Sequence, residues 1–379
     1  MPQGRIEIRP VETRAGREAF IRLPGRLAAG DPTWIEPLHF ERRRFLSPRH
    51  NPVFEHADVR FWLALRDGRP AGRISAQIDR LAPRADDGVP LGFFGMADAR
   101  EDDVLAELFR AAESWLAQHG VQRVRGPFDL SVNQSSGLLV DGFDTPPAVM
   151  MEHHDPWLGP AIERQGYAKA RDLIAYRLHV ERGLPERLRR MAERSNGEAR
   201  LRPLDFGRYA QEIRTVTEIF NDAWAGNWGF VPMTEAETEA MAKEMRPILP
   251  PGFVWFAEIE GRPVGFIVMI PNVNEALRGL GGRLLPTGWA RLAWRLKVSG
   301  VRTARVPLMG VRREVAATIL GKNLPLRLIY ALEPAVRRHS LREIEISWLL
   351  EGNRPMRRLS EAIGCEPYKT YRVFEKDLA

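Results

Sequence analysis

Val254-Trp-Phe-Ala-Glu-Ile-Glu-Gly-Arg-Pro-Val-Gly-Phe-Ile-Val-Met-Ile270 has a counterpart early in the chain, Phe61-Trp-Leu-Ala-Leu-Arg-Asp-Gly-Arg-Pro-Ala-Gly-Arg-Ile-Ser-Ala-Gln-Ile78. Both alternate about a Gly-containing turn, the pattern of a β-hairpin. Gly68-Arg69-Pro70 matches Gly261-Arg262-Pro263, and two unrelated hairpins would seldom share Gly-Arg-Pro-x-Gly. The chain therefore reads as a duplication.

The flanks extend it. After the first hairpin, Leu91–Met96 reads as a buried strand. Glu101–Gln118 follows as a helix, with Val104, Leu108, Ala111 and Trp115 at helical spacing, acids at its start and Gly120 at its end. Val121–Val124 and Asp172–Val180 read as strands, with a segment from Asp155 to Gly166-Tyr167 between them. After the second hairpin, Ala304–Val311 is a strand and Glu314–Arg338 a helix broken near Gly321 and Pro325. Leu341–Leu350 is a strand, Asn353–Ile363 a helix stopped by Gly364, and Tyr368–Glu375 the last strand. The order β-β-β-α-β-α-β thus occurs twice. A basic stretch, Gly183–Gly197, with one short helix, separates the copies.

Composition sets bounds. A chain of 379 residues, 44% apolar and 28% charged, has material for two folded cores. One cysteine, Cys365, excludes an intramolecular disulfide and a four-cysteine zinc site, and a small buried side chain is its ordinary role. Met1 to Pro10 carry Arg5, Glu7 and Arg9 and lack the apolar core of a secretory signal. The apolar runs fall short of the ~20 residues that span a bilayer, so a cytoplasmic protein, soluble or peripheral on the inner-membrane surface, is expected. The net charge of +7 suits polyanionic partners. Zinc spacing, an aromatic RNA-binding signature and basic repeats are all missing from the sequence, so nucleic acid is not an expected partner.

The element order resembles the GNAT acyltransferase fold, duplicated, and Asn353-x-x-Met356-x₇-Gly364 is similar to that family's last motif. Three phrases resemble, more narrowly, a tandem-domain bacterial group with members linked to ceramide synthesis. They are Phe220-Asn-Asp-Ala-Trp-Ala-Gly-Asn-Trp-Gly-Phe-Val-Pro232, Glu345-Ile-Ser-Trp-Leu-Leu-Glu-Gly-Asn353 and Gly137-Leu-Leu-Val-Asp-Gly-Phe-Asp-Thr-Pro-Pro147. The resemblance implies an α/β (α+β) fold of two tandem GNAT-like domains with mixed, mostly antiparallel sheets. Their expected bounds are 1–182, without cofactor, and 198–379, carrying acyl-CoA and the chemistry. It also implies an acyl-CoA-dependent N-acyltransferase without a metal, moving a long-chain acyl group to a lipid amine such as a sphingoid base. The alternative is a degenerate tandem binding or scaffold protein.

The family's pyrophosphate loop sets backbone amides of a helix N-terminus around an anion. The matching stretch is Val311-Arg-Arg-Glu-Val-Ala-Ala-Thr-Ile-Leu-Gly321, with alanines in place of glycines. Met309, Val311, Arg312, Arg313, Ala317, Thr318 and Asn353 are the expected cofactor contacts. The equivalent region of the first half, Glu101-Asp102-Asp103, is acidic and repels phosphate.

N-acyl transfer needs a group to take the amine proton and one to protonate the leaving thiolate. Period-two alternation puts Glu343, Glu345 and Ser347 on one strand face. Glu345, nearest the middle, reads as the general base, or equally as a carboxylate paired with an arginine. The family's acid, a Tyr seven residues after the helix-starting Asn, is replaced by Ser360. Tyr368 and Tyr371 are the substitutes, or else core aromatics. Trp224, Asn227 and Trp228 fall in the expected acceptor loop, as channel wall or as turn. Residues 276–302 interrupt the second copy with Arg278, Arg283, Arg291, Arg295, Lys297, Arg302, Trp289 and Trp294 and no acid. This basic, aromatic segment is either an insertion packed on its own domain or a lid that meets an anionic membrane surface, with Trp289 at the acyl site. His153-His154 point oppositely on extended chain and suit no metal, and Ser135-Ser136 lack a hydrolase elbow.

Overall fold

The structure is a computed structural model that describes residues 4–194 and 199–378. The end of the basic stretch, up to Gly197, lies outside the described residues, and the short helix expected there is Glu186–Arg194. Two compact units form. Unit 1 comprises Met1–Leu173, Leu277–Gly288 and Lys369–Ala379, and unit 2 comprises Ile174–Ala276 and Trp289–Tyr368. Each unit draws on both halves of the sequence.

The sheet of unit 1 runs Ile6–Pro10, Ala57–Arg66, Arg69–Asp79, Leu91–Ala99, Arg123–Gly126, and then residues 369–377 of the strand Glu366–Asp377. Only Leu91–Ala99 and Arg123–Gly126 pair in parallel, and the other neighbours are antiparallel. Period-two alternation divides the hairpin between two cores. Trp62 and Ala64 meet Val104, Leu105, Leu108 and Phe109 of the helix Asp102–Gln118. Leu63, with Phe61 beside it, meets Phe20 and Leu23 of the helix Arg14–Leu27. Burying such side chains contributes about 1.5–3 kcal/mol each.

Unit 2 repeats this order with Arg200–Pro203, Val254–Ile259, Arg262–Pro271, Thr303–Val311, Glu343–Leu350 and residues 174–179 of Ala168–His179. Here too a parallel pair, Thr303–Val311 with Glu343–Leu350, follows the antiparallel strands. Both hairpin turns place two successive residues at positive φ, Asp67-Gly68 (49° and 76°) and Glu260-Gly261 (49° and 78°). That geometry matches the twist of antiparallel strands and is why glycine recurs there.

The repeat is longer than the β-β-β-α-β-α-β pattern, because each copy opens with a further strand and a helix: Arg14–Leu27 in one and, in the other, Tyr209–Trp224, the helix expected ahead of the loop at Asn227. The expected helix Glu314–Arg338 is three helices, Arg313–Ala316, Ile319–Ala331 and Glu333–Arg338. Its first break falls before Gly321, because the Thr318 hydroxyl accepts from the Gly321 amide at 3.0 Å and starts a new helix. Pro325 lies inside that helix.

His153 and His154 have separate partners in unit 1. His153 Nε2 lies 2.9 Å from both Asp31 Oδ2 and Thr33 Oγ1, and His154 Nδ1 accepts from the Leu139 amide at 3.1 Å. Desolvation pushes His154 down to about 4, from an ordinary value of 6.5. The folded protein thus disfavours the proton that the unfolded chain takes up. The stabilisation is whole above pH 6.5 and is lost as pH falls toward 4. The melting temperature should drop across that window, and His154→Gln, which keeps an acceptor for Leu139, should flatten the drop.

Candidate active site

In unit 2 the parallel ladder runs from Thr303–Glu343 to Val306–Ile346 and stops there. Beyond it Pro307, Leu308 and Met309 on one strand, and Trp348, Leu349 and Leu350 on the other, are half-exposed. The carboxyl ends of neighbouring parallel strands are where open α/β sheets receive ligands. Unit 1 fills the same place with its own chain. Asp129 Oδ1 takes the Met96 amide at 3.1 Å, and a Cβ on Gly95 would lie 2.0 Å from the Phe128 carbonyl oxygen.

Glu345 sits near the end of this ladder, opposite Arg305, and is 3% exposed. Its Oε2 accepts from the Tyr368 hydroxyl, and its Oε1 accepts from the Ser347 hydroxyl. Arg305 Nε donates to Ser347 Oγ at 2.7 Å and lies 3.6 Å from Glu345 Oε1, and its Nη2 donates to the Ser347 carbonyl at 3.2 Å. Since Ser347 Oγ accepts from Arg305, its own proton is aimed at Glu345. A buried carboxylate therefore has one oxygen tied to a fixed cation and the other to a phenol. Tyr368 is half-exposed, and the Arg177 guanidinium lies 4.9 Å over its ring. Arg177 also faces Glu343 at 4.0 Å, and burial raises the Glu343 carboxyl above its usual range.

The other expected residues are dispersed. Tyr371 belongs to unit 1, where it is fully buried beside Leu139. Ser360 is buried and donates to the Met356 carbonyl at 3.0 Å. Asn353 caps the helix Arg354–Ala362, accepting from the Met356 amide at 3.3 Å. Trp224 ends its helix against Phe220 and lies 6.4 Å from Trp348, on the strand that carries Glu345. Asn227 is exposed in the turn that follows, Trp228 is half-buried, and Trp289 is 58% exposed. Cys365 is buried, and burial pushes its thiol up to about 12.

Met309 and Val311 are half-exposed at the end of their strand, and Ala317 and Thr318 are exposed. Carboxylates already engage the arginines that follow. Arg312 reaches Glu218 at 3.3 Å, and the Arg313 backbone amide donates to Asp222 Oδ2 at 2.8 Å. What suits an anion is the next turn. It opens a helix, its alanines are small, and Gly321 is so close to Val315 that a Cβ would lie 1.9 Å from the Val315 carbonyl oxygen. The turn fits a pyrophosphate if Asp222 is displaced or bypassed.

Arg305, Arg177, Asp222 and Glu218 were not expected at the site. The one signal for Arg305 is a lone cation in an otherwise largely apolar strand. Among the described residues no group of three or more His, Cys, Asp or Glu could hold a metal, and no helix is long and apolar enough to cross a membrane.

No family model matches the chain. The chain is 49% identical to the bacterial ceramide synthase of Caulobacter vibrioides, over 98% of both chains. It is 45% identical to protein YghO of Escherichia coli, over 95% of this chain and 93% of that one. In structure it is similar to a tandem GNAT protein from the clavulanic acid biosynthesis pathway, with a TM-score of 0.59 at 15% identity over 98% of each chain. A GCN5-related N-acetyltransferase from Sphaerobacter thermophilus aligns with a TM-score of 0.53 at 14% identity, over 98% of this chain and 95% of that one. These neighbours bear out the fold expected from the duplicated hairpins. With the identity to the two curated relatives, they establish that the chain belongs to the tandem GNAT-like acyltransferase family that includes the bacterial ceramide synthase.

Proposed function

We propose that the protein is an acyl-CoA-dependent N-acyltransferase that moves a long-chain acyl group to a lipid amine, a sphingoid base being the leading acceptor. The observation that carries this reading is the half-exposed Tyr368 bonded to the buried carboxylate of Glu345, at the open end of the parallel ladder of unit 2.

Bound acyl-CoA supplies a thioester carbonyl for the amine to attack and a thiolate to leave. Tyr368 Oη takes a proton from the attacking nitrogen while its own proton passes to Glu345 Oε2. The return transfer, from Glu345 to Tyr368 and from Tyr368 to the sulfur, restores both residues and completes amide and thiol. Tyr368 is thus the catalytic residue, and Glu345, too buried to meet substrate, acts through it. Tyr371, in the core of unit 1, has no part in this scheme. Trp224, Asn227 and Trp228 bound the acceptor's path, with Trp348 behind Trp224. Met309, Val311, Ala317 and Thr318 line the donor, while Asn353 serves as a cap and Arg312 and Arg313 assist only when released from their carboxylates. A lipidic acceptor suits a peripheral protein on the inner-membrane surface, contacted through residues 276–302.

The two carboxylates on Arg312 and Arg313 favour a second reading, a tandem binding or scaffold protein that no longer holds acyl-CoA. One experiment separates the two. Purified protein receives acetyl-, octanoyl- and palmitoyl-CoA with a pool of amines that includes sphinganine, and the products are read by mass spectrometry beside an acyl-CoA binding assay. A palmitoyl amide of the sphingoid base is the expected product. Neither amide nor binding would establish the scaffold.

A further inference from the structure

Between Arg283 and Thr303 no side chain is fully buried. The segment nevertheless contains a helix, Gly288–Trp294, continued by the wider turn Arg295–Ser299. Its tryptophans and valine face outward, with Trp294 62% and Val298 61% exposed. A helix normally buries its apolar stripe, so an apolar face turned to solvent marks an interaction surface.

The two sides of this segment divide the work. Leu292 and Leu296, four residues apart, share the half-buried side, and Arg295 Nη1 donates to the Ala276 carbonyl at 2.9 Å and tethers it. Trp294 and Val298, also four apart, lie roughly opposite. Arg291 and Lys297, each three residues from Trp294, bracket the tryptophan on that outer side and are exposed. Residues 276–302 contain no Asp or Glu to neutralise them, and among the described residues neither cation is in an ion pair.

We propose that this outer face docks on an anionic lipid bilayer, with Trp294 and Val298 entering the interface and Arg291 and Lys297 meeting lipid phosphates. The proposal deepens the lipidic reading above by assigning its membrane contact to named residues. Charge complementarity selects the occupant. An apolar centre ringed by cations matches a negatively charged headgroup layer, where indole rings settle at the water boundary. Each cation near such a surface strengthens binding about five-fold.

The full chain is sedimented with vesicles of phosphatidylcholine alone and of phosphatidylcholine with phosphatidylglycerol at a mole fraction of about 0.3, at low and high salt. Binding to the anionic vesicles that weakens as salt rises is expected. W294S/V298S should weaken it roughly ten-fold, and R291Q/K297Q should weaken it about 25-fold and leave little preference for anionic lipid. Sedimentation with neither vesicle, equal binding to both, or wild-type binding by W294S/V298S would overturn the proposal. The same variants acylate a short, water-soluble amine at the wild-type rate, so a failed docking surface is distinguishable from a failed reaction assignment.

Discussion

Glu345→Gln and Tyr368→Phe should each lower kcat by about 10³-fold, within the range that positioned acid–base groups contribute. Acyl-CoA affinity should stay within a few-fold of wild type, because neither side chain is among the proposed donor contacts. The amide oxygen introduced by Glu345→Gln can still accept from Tyr368, while the carboxylate that would hold the relayed proton is gone. The phenylalanine removes the hydroxyl and leaves Glu345 bonded to Ser347. Because the two act as one relay, the double variant should lose little more than either single one, a non-additivity typical of residues that work as a unit. Steady-state kinetics on the amine detected by mass spectrometry checks this. Full additivity would mean two independent roles, and wild-type turnover in Glu345→Gln would remove the carboxylate from the reaction.

Arg305→Leu should produce the largest loss of stability. Arg305 is 4% exposed, and its guanidinium supports Glu345 directly and through Ser347. Removing one partner of a buried pair strands the other charge, at a cost of about 3–5 kcal/mol. For a unit of this size that corresponds to a melting temperature lower by roughly ten degrees. Arg305→Leu combined with Glu345→Gln should recover most of the loss, because no buried charge is then left unpaired. Thermal melting of the four proteins tests it, and an unchanged melting temperature in Arg305→Leu would mean that the pair is neutral to folding.

Local signals carried much of the fold. Both hairpins were readable because turn and alternation lie within twenty residues, and so was the strand face that unites Glu345 and Ser347. Non-local pairing was not. Arg305 meets Glu345 from a strand far earlier in the chain, and no pattern within one strand announces its neighbour. Tyr368 and Tyr371 illustrate the same limit. An odd spacing puts them on opposite strand faces, and only the structure tells which face meets Glu345. The opening helix Arg14–Leu27 is not legible in the sequence, because Pro24 and two polar turns blur its stripe, although Thr13 caps it.

The strand Glu366–Asp377 completes the sheet of unit 1, where Asp377 pairs with Arg123 across 254 residues. On the ribosome, the strand Arg123–Gly126 emerges long before its neighbour is made. At 5–20 residues per second that wait is ~10–50 s. Throughout it unit 1 presents an open sheet edge, the kind of surface that recruits other strands. Such late closure raises contact order and slows folding. Translation speed and chaperone access thus become determinants of yield.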